Sequence, residues 1–338
     1  MNFVITRSLA AAVFALTLAT AQAAAPRYQL TDLGTLGGRD SFAAAVNRSG
    51  LIVGNSATTE NYWPRRAFAY VGGVMSDLGA LRDDGDSQAN AVNDAGTACG
   101  EAWSADSIPY RAVIFEGGQV LDIGGLRSDW EYSTASGINR AGHVVGFGTY
   151  GDRHSRGYIY RHGQFEDLPE DTYAGAINDQ DQVTVSRDFK AFLFDHGQMI
   201  DLGTLGGSFS QGAALNQAGE VTGVAMTGNG EYHGFVSRNG NMTDLGTLGG
   251  PVSVGVGIDD HGVVVGWSRT HRKQVRGFVT VHGKMTNLNV LLDPVSRAGW
   301  TITGANAIGR HGEILADGYP RGARKNDAHA VLLTPMAP

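Results

Sequence analysis

Apolar and polar positions alternate along this chain in short runs that repeatedly double back. Ser41-Phe42-Ala43-Ala44-Ala45-Val46 and Leu51-Ile52-Val53-Gly54 flank Asn47-Arg48-Ser49-Gly50. An Asn three residues before a Gly, between two apolar runs, predicts a tight β-hairpin: the Asn side chain bonds its own turn and the Gly takes the left-handed conformation. The turn recurs at Asn93 and Gly96, Asn139 and Gly142, and Asn216 and Gly219. Asp259 with Gly262 replaces it once, Asn178 with Asp181 is a variant, and the last copy has Gly309 with Gly312. A hydroxyl residue stands six positions before each turn: Ser41, Ser87, Ser133, Thr172, Ser210, Ser253 and Thr303. These are seven copies of one unit.

A second hairpin follows in each unit. Arg66-Ala67-Phe68-Ala69-Tyr70-Val71 turns at Gly72-Gly73 into Val74-Met75-Ser76-Asp77-Leu78, and the counterparts turn at His162-Gly163, His196-Gly197, Asn239-Gly240 and His282-Gly283. Two-residue turns with Gly in second place are what a primed hairpin favours. Each unit therefore reads as four short strands, a to d, and no helical period is expected after the N-terminal run. Between units lies Asp-Leu-Gly-Thr-Leu-Gly-Gly, verbatim at Asp32–Gly38, Asp201–Gly207 and Asp244–Gly250, with weaker forms from Asp77, Asp122, Asp167 and Asn287. Successive starts are 45, 45, 45, 34, 43 and 43 residues apart. Four antiparallel strands at that period predict an all-β fold, a β-propeller of four-stranded blades.

Counting strands predicts how the ring closes. Seven a–b hairpins stand against six complete c–d hairpins, because the last unit stops after Ala328-His329-Ala330-Val331-Leu332-Leu333. Tyr28-Gln29-Leu30-Thr31-Asp32-Leu33 has the strand d pattern with no strand c before it. The expectation is a seven-bladed propeller over residues 24–338, with the N-terminal strand completing the C-terminal blade and covering its edge.

A basic residue opens every strand c: Arg66, Arg111, Arg156, Lys190, His233, Arg276 and His329. The first six lie 11 residues before the Asp, or at Asn287 the Asn, of their own strand d. Across a two-residue turn that spacing makes them diagonal neighbours on one face, so repeated basic-to-acidic pairs are expected rather than an anion-binding ring. His329 would take Asp32 across the closure, and Arg276 would lack a carboxylate.

The seven-residue motif, the Ala45-Val46-Asn47-Arg48-Ser49-Gly50 turn and the Arg66-Ala67-Phe68 strand, with His329-Ala330-Val331 closest to the naming triplet, resemble the HAF repeats of bacterial extracellular proteins. The resemblance runs from Tyr28 to Pro335, and unit four departs from it at Leu168-Pro169-Glu170. It implies export and a repeat fold, and it carries no catalytic residue over to this chain.

Composition adds the environment. Arg7, an apolar run from Leu9 to Thr20 and Ala21-Gln22-Ala23 read as a signal peptide over 1–23, cleaved near Ala23, and predict a secreted or periplasmic protein with no membrane insertion. Its loss moves the formal charge from −7 to about −8, which disfavours nucleic acid as a partner. The lone Cys99 is expected to be a buried small hydrophobe.

The b–c and d–a connections vary while the turns repeat, so functional side chains are sought on the loop-rich face. Tyr62, Trp63, Arg65, Trp103, Tyr110, Trp130, Tyr150, Trp267, Arg269 and His271 are the candidate ligand-binding residues. Aromatic faces stack on sugar CH groups while neighbouring charges take the hydroxyls, which points to an extracellular glycan or another small ligand bound by a monomer. Packing between blades is the plainer alternative for any one aromatic. An enzyme, a lyase or hydrolase on polysaccharide or a related ester, would draw on Asp84, Arg127, Asp129, Glu131, Tyr132 or His154. A structural or protein-binding module is the third class. Asp83, Asp84 and Asp86 offer oxygens to Ca2+ without the length or terminal Glu of an EF-hand loop, so a solvated acidic loop is the preferred reading and no cofactor is expected.

Overall fold

The computed structural model describes residues 26–60, 62–103, 110–151, 154–324 and 327–337; the expected signal peptide lies outside them. Strand β1 (Tyr28–Asp32) comes first. The first unit gives β2 (Ser41–Val46), β3 (Ile52–Ala57), β4 (Arg65–Val71) and β5 (Val74–Gly79). The second gives β6 (Ser87–Val92), β7 (Ala98–Trp103), β8 (Tyr110–Glu116) and β9 (Gln119–Asp122), and the third β10 (Tyr132–Ile138), β11 (Val144–Tyr150), β12 (His154–Arg161) and β13 (Gln164–Glu170). The fourth gives β14 (Tyr173–Ile177), β15 (Val183–Arg187), β16 (Lys190–Asp195) and β17 (Gln198–Asp201). The fifth gives β18 (Gly206–Leu215), β19 (Val221–Thr227), β20 (Tyr232–Arg238) and β21 (Asn241–Asp244), and the sixth β22 (Gly249–Ile258), β23 (Val264–Thr270), β24 (Val275–Val281) and β25 (Lys284–Asn287). Helices α1 (Leu288–Leu291) and α2 (Pro294–Gly299) precede β26 (Trp300–Ile308), β27 (Ile314–Pro320) and β28 (His329–Pro335).

These strands form five four-stranded antiparallel sheets and one eight-stranded sheet, in which a single parallel pairing, Tyr232 with Val252, joins the fifth and sixth units. Strand β1 pairs antiparallel with β28, Tyr28 opposite Pro335 and Asp32 opposite Val331. The first unit packs on the last: Ala43, Ile52 and Phe68 share a buried cluster with Leu315 and Ala330.

The turn residue works twice. Asn47 Oδ1 accepts Ser49 N and Leu51 N at 3.1 and 3.0 Å, closing its own hairpin, while Nδ2 donates to Asn93 O at 2.9 Å in the next unit. The same step runs Asn93 to Asn139 O, Asn139 to Asn178 O, Asn178 to Asn216 O and Asn216 to Asp259 O. The hydroxyl six residues earlier is a second clamp. Ser87 Oγ accepts Ala67 N of the preceding unit, as Ser133 does Ala112 N, Thr172 Gly157 N, Ser210 Ala191 N, Ser253 Gly234 N and Ser41 Ala330 N. In the first unit strand b carries Gly beside the strand a bulge because a Cβ at Gly54 would stand 2.0 Å from Phe42 O. Gly100, Gly146, Gly223 and Gly266 repeat this, while Val185 and Ala316 replace it in the fourth and seventh units.

Two expectations need correction. Five basic-to-acidic pairs form, Arg111–Asp122 (2.9 Å), Arg156–Asp167 (3.2 Å), Lys190–Asp201 (3.5 Å), His233–Asp244 (2.9 Å) and His329–Asp32 (2.9 Å). Arg66 instead turns its Nη2 to Asp83 O, and Asp77 Oδ1 takes Gly79 N at 2.7 Å. The expectation of no helix fails at 288–299, where Asn287 caps α1 through Asn289 N and Asp293 caps α2 through Val295 N and Ser296 N. Segments of four and six residues are too short to show a helical period. This insertion lies against β1: Asp293 N donates to Tyr28 O at 2.9 Å, and Leu30 N to Ser296 Oγ at 3.1 Å. Tyr28 is buried with Leu288, Leu291 and Leu292, and that burial pushes its phenol up to about 12.

Candidate functional site

On the loop-rich face, between the first and second units, a groove of about 370 Å3 is lined by Trp63, Pro64, Asp84, Asp86, Trp103 and Tyr110. Trp63 leaves 56% of its surface open, a large apolar face with no core to cover it. The floor is pinned by backbone bonds to the loop ahead of β6: Arg65 N donates to Asp86 Oδ1 at 2.8 Å and Trp103 N to Asp86 O at 2.9 Å. Arg65 is itself fixed, with Nη1 on Asp40 and Nε on Asn55 Oδ1, both at 2.8 Å, and its guanidinium 5.0 Å over the Phe42 ring. Asp84 pairs with Arg82 at 3.0 Å, and that contact holds its carboxyl below the usual range. The groove thus offers two tryptophan rings, a tyrosine and two anionic acceptors in fixed relation.

From Tyr110 a run of aromatic contacts leads away through β10, β11 and β14. Tyr110 meets Tyr132 edge-on at 6.5 Å, Tyr132 lies 6.0 Å from Phe147, and Phe147 packs against Tyr173 at 4.8 Å. The Tyr132 hydroxyl donates to Glu101 Oε2 at 2.6 Å, and burial, then this bond, raises its pKa.

The other candidates scatter. Trp130 is only 1% exposed, stacked on Tyr158 at 5.2 Å and edge-on to Phe165 at 5.1 Å, so it is a core residue and not a ligand platform. Arg127 lies 4.8 Å over it and bridges Asp129 (3.2 Å) and Asp167 (2.9 Å), a brace between its own connection and β13. Arg127 holds the Asp129 carboxyl low, which removes Asp129 as a proton donor near neutrality. Glu131 is exposed beside this brace. Tyr62 reaches across to Asp327 at 3.0 Å, and Tyr150 stacks with His154, whose Nδ1 lies 3.2 Å from Asp171. Trp267 is half-buried on β23, with Arg269 and His271 exposed at and beyond its end, a different unit from the groove. Among the described residues no His, Cys, Asp or Glu group could hold a metal ion, and Asp83, Asp84 and Asp86 are not such a group. Cys99 is fully buried and its thiol is pushed up by that burial.

Two features went unread in the sequence. Asp317 stands eight residues after its turn, where the other units have Asn55, Glu101, Phe147, Ser186, Val224 and Trp267. Its Oδ2 accepts Asn306 Nδ2 at 2.9 Å, its Oδ1 is shut from solvent without a partner, and burial raises its pKa to about 7. Comparing that one position across copies would have singled it out. The second is a polar cavity of about 420 Å3 on the turn face, lined by residues including Arg48, Asp259, Asp260, Gly309 and Arg310. It opens where Asp259 and Gly309 replace the Asn that elsewhere steps to the next unit.

No protein-family model matches the sequence, and no curated protein does. Among solved structures the chain is similar to one in the crystal structure of the mitotic checkpoint complex, with TM-score 0.52 and 10% identity over 98% of this chain and 99% of that one. It is also similar to the extracellular domain of a hybrid two component system from B. thetaiotaomicron, with TM-score 0.51 and 10% identity over 93% of this chain and 40% of that one. TolB from Acinetobacter baumannii aligns at TM-score 0.44 and 13% identity over 80% of this chain; the chain spans 60% of that protein's length. At these identities the likeness is one of fold alone. With its four-stranded antiparallel sheets and its first unit packed on its last, the chain is an all-β protein with a β-propeller fold.

Proposed function

We propose that this is an exported seven-bladed β-propeller that binds carbohydrate in the groove between Trp63 and Trp103. The blade count is supported by seven copies of the turn, by β1 on β28, and by Asn306 Nδ2 donating to Ala43 O at 2.9 Å from the last unit to the first. The observation that carries the binding reading is the pairing of an exposed indole with a second indole and two carboxylates in one concavity. Sugar rings present an apolar face and a rim of hydroxyls, and this lining supplies a partner for each. The lyase or hydrolase alternative draws little from its candidates: Asp84 and Asp129 are held ionised by arginines, and the Tyr132 phenol is pushed further from ionisation.

The test is binding to a panel of neutral and acidic glycans by the protein and by Trp63→Ala and Trp103→Ala. The expected result is saturable binding that each substitution weakens about tenfold or more, as for a central aromatic anchor. Binding that both variants retain would overturn the site, and turnover of a polysaccharide lost in Asp129→Asn but kept in Trp63→Ala would move the function to the enzyme class.

A further inference from the structure

A second concavity has the opposite charge. A groove of about 430 Å3 is lined by Arg27, Leu292, Pro294, Arg297, Ala298 and Arg321, so half its lining side chains are guanidinium in a chain of net charge −7. The three arginines come from the start of the described chain, from α2 and from the connection after β27. Arg65, Arg111, Arg127 and Arg156 each hold a carboxylate within 3.2 Å. Arg27, Arg297 and Arg321 have no such partner among the described residues.

Asp293, four residues before Arg297, spends its acceptors within the first turn of α2. Asp293 Oδ1 accepts Val295 N at 2.9 Å and Ser296 N at 3.2 Å, its Oδ2 takes the Ser296 hydroxyl, and these bonds hold its carboxyl below the usual range. Arg321 is positioned rather than loose: its N donates to Gly299 O at 2.8 Å and its Nε to Arg297 O at 3.1 Å, which lays its stem along α2 with the terminal nitrogens left over. Leu292, Pro294 and Ala298 form an apolar wall beside them. Guanidinium groups stay charged at every physiological pH and present paired N–H donors that match the oxygens of a tetrahedral anion.

We propose that this groove binds a phosphate or sulfate group, with Arg27, Arg297 and Arg321 as its donors. It shares no residue with the Trp63–Trp103 groove, so it stands or falls independently of carbohydrate binding there. Because the donors are exposed, binding weakens as salt rises.

The experiment titrates the protein at low ionic strength with inorganic phosphate and inorganic sulfate by calorimetry, and in parallel with phosphatidylglycerol and phosphatidylcholine vesicles by co-sedimentation. The double variant Arg27→Gln/Arg297→Gln removes two donors whose side chains make no described hydrogen bond, and a melting curve checks that it folds. Arg272→Gln, an exposed arginine of the sixth unit, is the control for net charge. Saturable binding of either inorganic anion, weakened about tenfold or more in the double variant and unchanged in Arg272→Gln, is the expected result. Capture by phosphatidylglycerol but not phosphatidylcholine vesicles, with the same response to the variants, would assign the oxyanion to a lipid headgroup. No saturable binding in any arm, or equal losses in the double variant and Arg272→Gln, would overturn the proposal.

Discussion

Five joints between successive units, from the first to the sixth, are made by the same two hydrogen bonds, an Asn Nδ2 to the next turn and a hydroxyl to the preceding strand c. The joint between the sixth and seventh units has neither. Asp259 has no N–H to offer the next turn, and Thr303 donates within its own unit, to Asp317 O at 3.2 Å. There the helical insertion takes over: Asn289 Nδ2 donates to Ile302 O at 2.8 Å and its Oδ1 accepts Ile302 N at 2.9 Å. The joint back to the first unit is intermediate, keeping the Ser41 hydroxyl and using Asn306 in place of the turn Asn. Two concavities lie along this irregular seam, the arginine groove beside α2 and the polar cavity at Asp259 and Gly309. Regular joints hold the scaffold through these repeated bonds, and the Trp63–Trp103 groove is built at one of them by the connections alone, whereas the arginine groove is built by the insertion that replaces the joining side chains.

The most severe break falls on a regular joint. Asn139 is buried, and its Nδ2 serves both Asn178 O and Asp181 Oδ1 while its Oδ1 accepts His143 N; Asn139→Ala should cost about 2–4 kcal/mol in chemical denaturation. Asp259→Asn at the seam would supply the missing donor and should leave stability level or slightly raised. Equal losses at both positions would erase the distinction between joint and seam.

Asp317 gives the next effect. A carboxyl whose pKa rises to about 7 on folding binds its proton more tightly in the folded state, so stability declines as pH climbs from about 4 to 7. Asp317→Asn should flatten that decline and stabilise the protein at pH 8 by roughly 1–3 kcal/mol, read as a pH series of melting curves. A loss at pH 8 would show that the charged carboxylate has a partner.

A hydroxyl clamp is worth less. Ser133→Ala strands the buried Ala112 N–H and should cost about 1–2 kcal/mol, whereas Thr303→Ala should cost under about 0.5 kcal/mol.

The closing pair His329–Asp32 contributes only about 0.5–1 kcal/mol, because both side chains meet solvent. The Asp32 carboxyl is lowered, chiefly by its hydrogen bond to His329 against the opposing pull of burial, so its share is lost as pH falls below the ordinary carboxylate value. The same bond raises the His329 imidazole, so its share is full below pH 6.5 and disappears as pH climbs past that value. His329→Ala should therefore lower the melting point at pH 5.5 and leave it unchanged at pH 9.

The fold was legible because its information is local and repeated. Asn47 to Gly50 states its own turn, and the 11-residue interval from Arg111 to Asp122 states a diagonal pair. The interval misled at Arg66 because a carbonyl at Asp83, in a connection peculiar to that unit, lies within its reach. Trp130 is a ligand-binding candidate in the sequence with packing between blades as its plainer alternative, and it packs: a Cβ at Gly148 would stand 2.3 Å from its ring, and the vacancy that admits the indole sits on another strand and shows in neither segment alone. Of the groove, Trp63, Trp103 and Tyr110 were all named as candidates, and their convergence came only with the placing of β4 against β6. Arg27 is separated from Arg297 and Arg321 by most of the chain, and no spacing rule joins the three.

The closure of the ring also fixes an order in time. Strand β1 leaves the ribosome before any other strand described, and β28, its partner across Tyr28 and Pro335, leaves last. Until then the sheet of β1, β28, β27 and β26 lacks the strand that joins β1 to β27, and Tyr28 has only part of its apolar cluster. The pairing that finishes the molecule spans about 300 residues, so its loop entropy is met only after every other sheet can form. A chain stopped short of His329 lacks β28 and the Ser41–Ala330 bond of the closing joint, and keeps only Asn306 to reach Ala43.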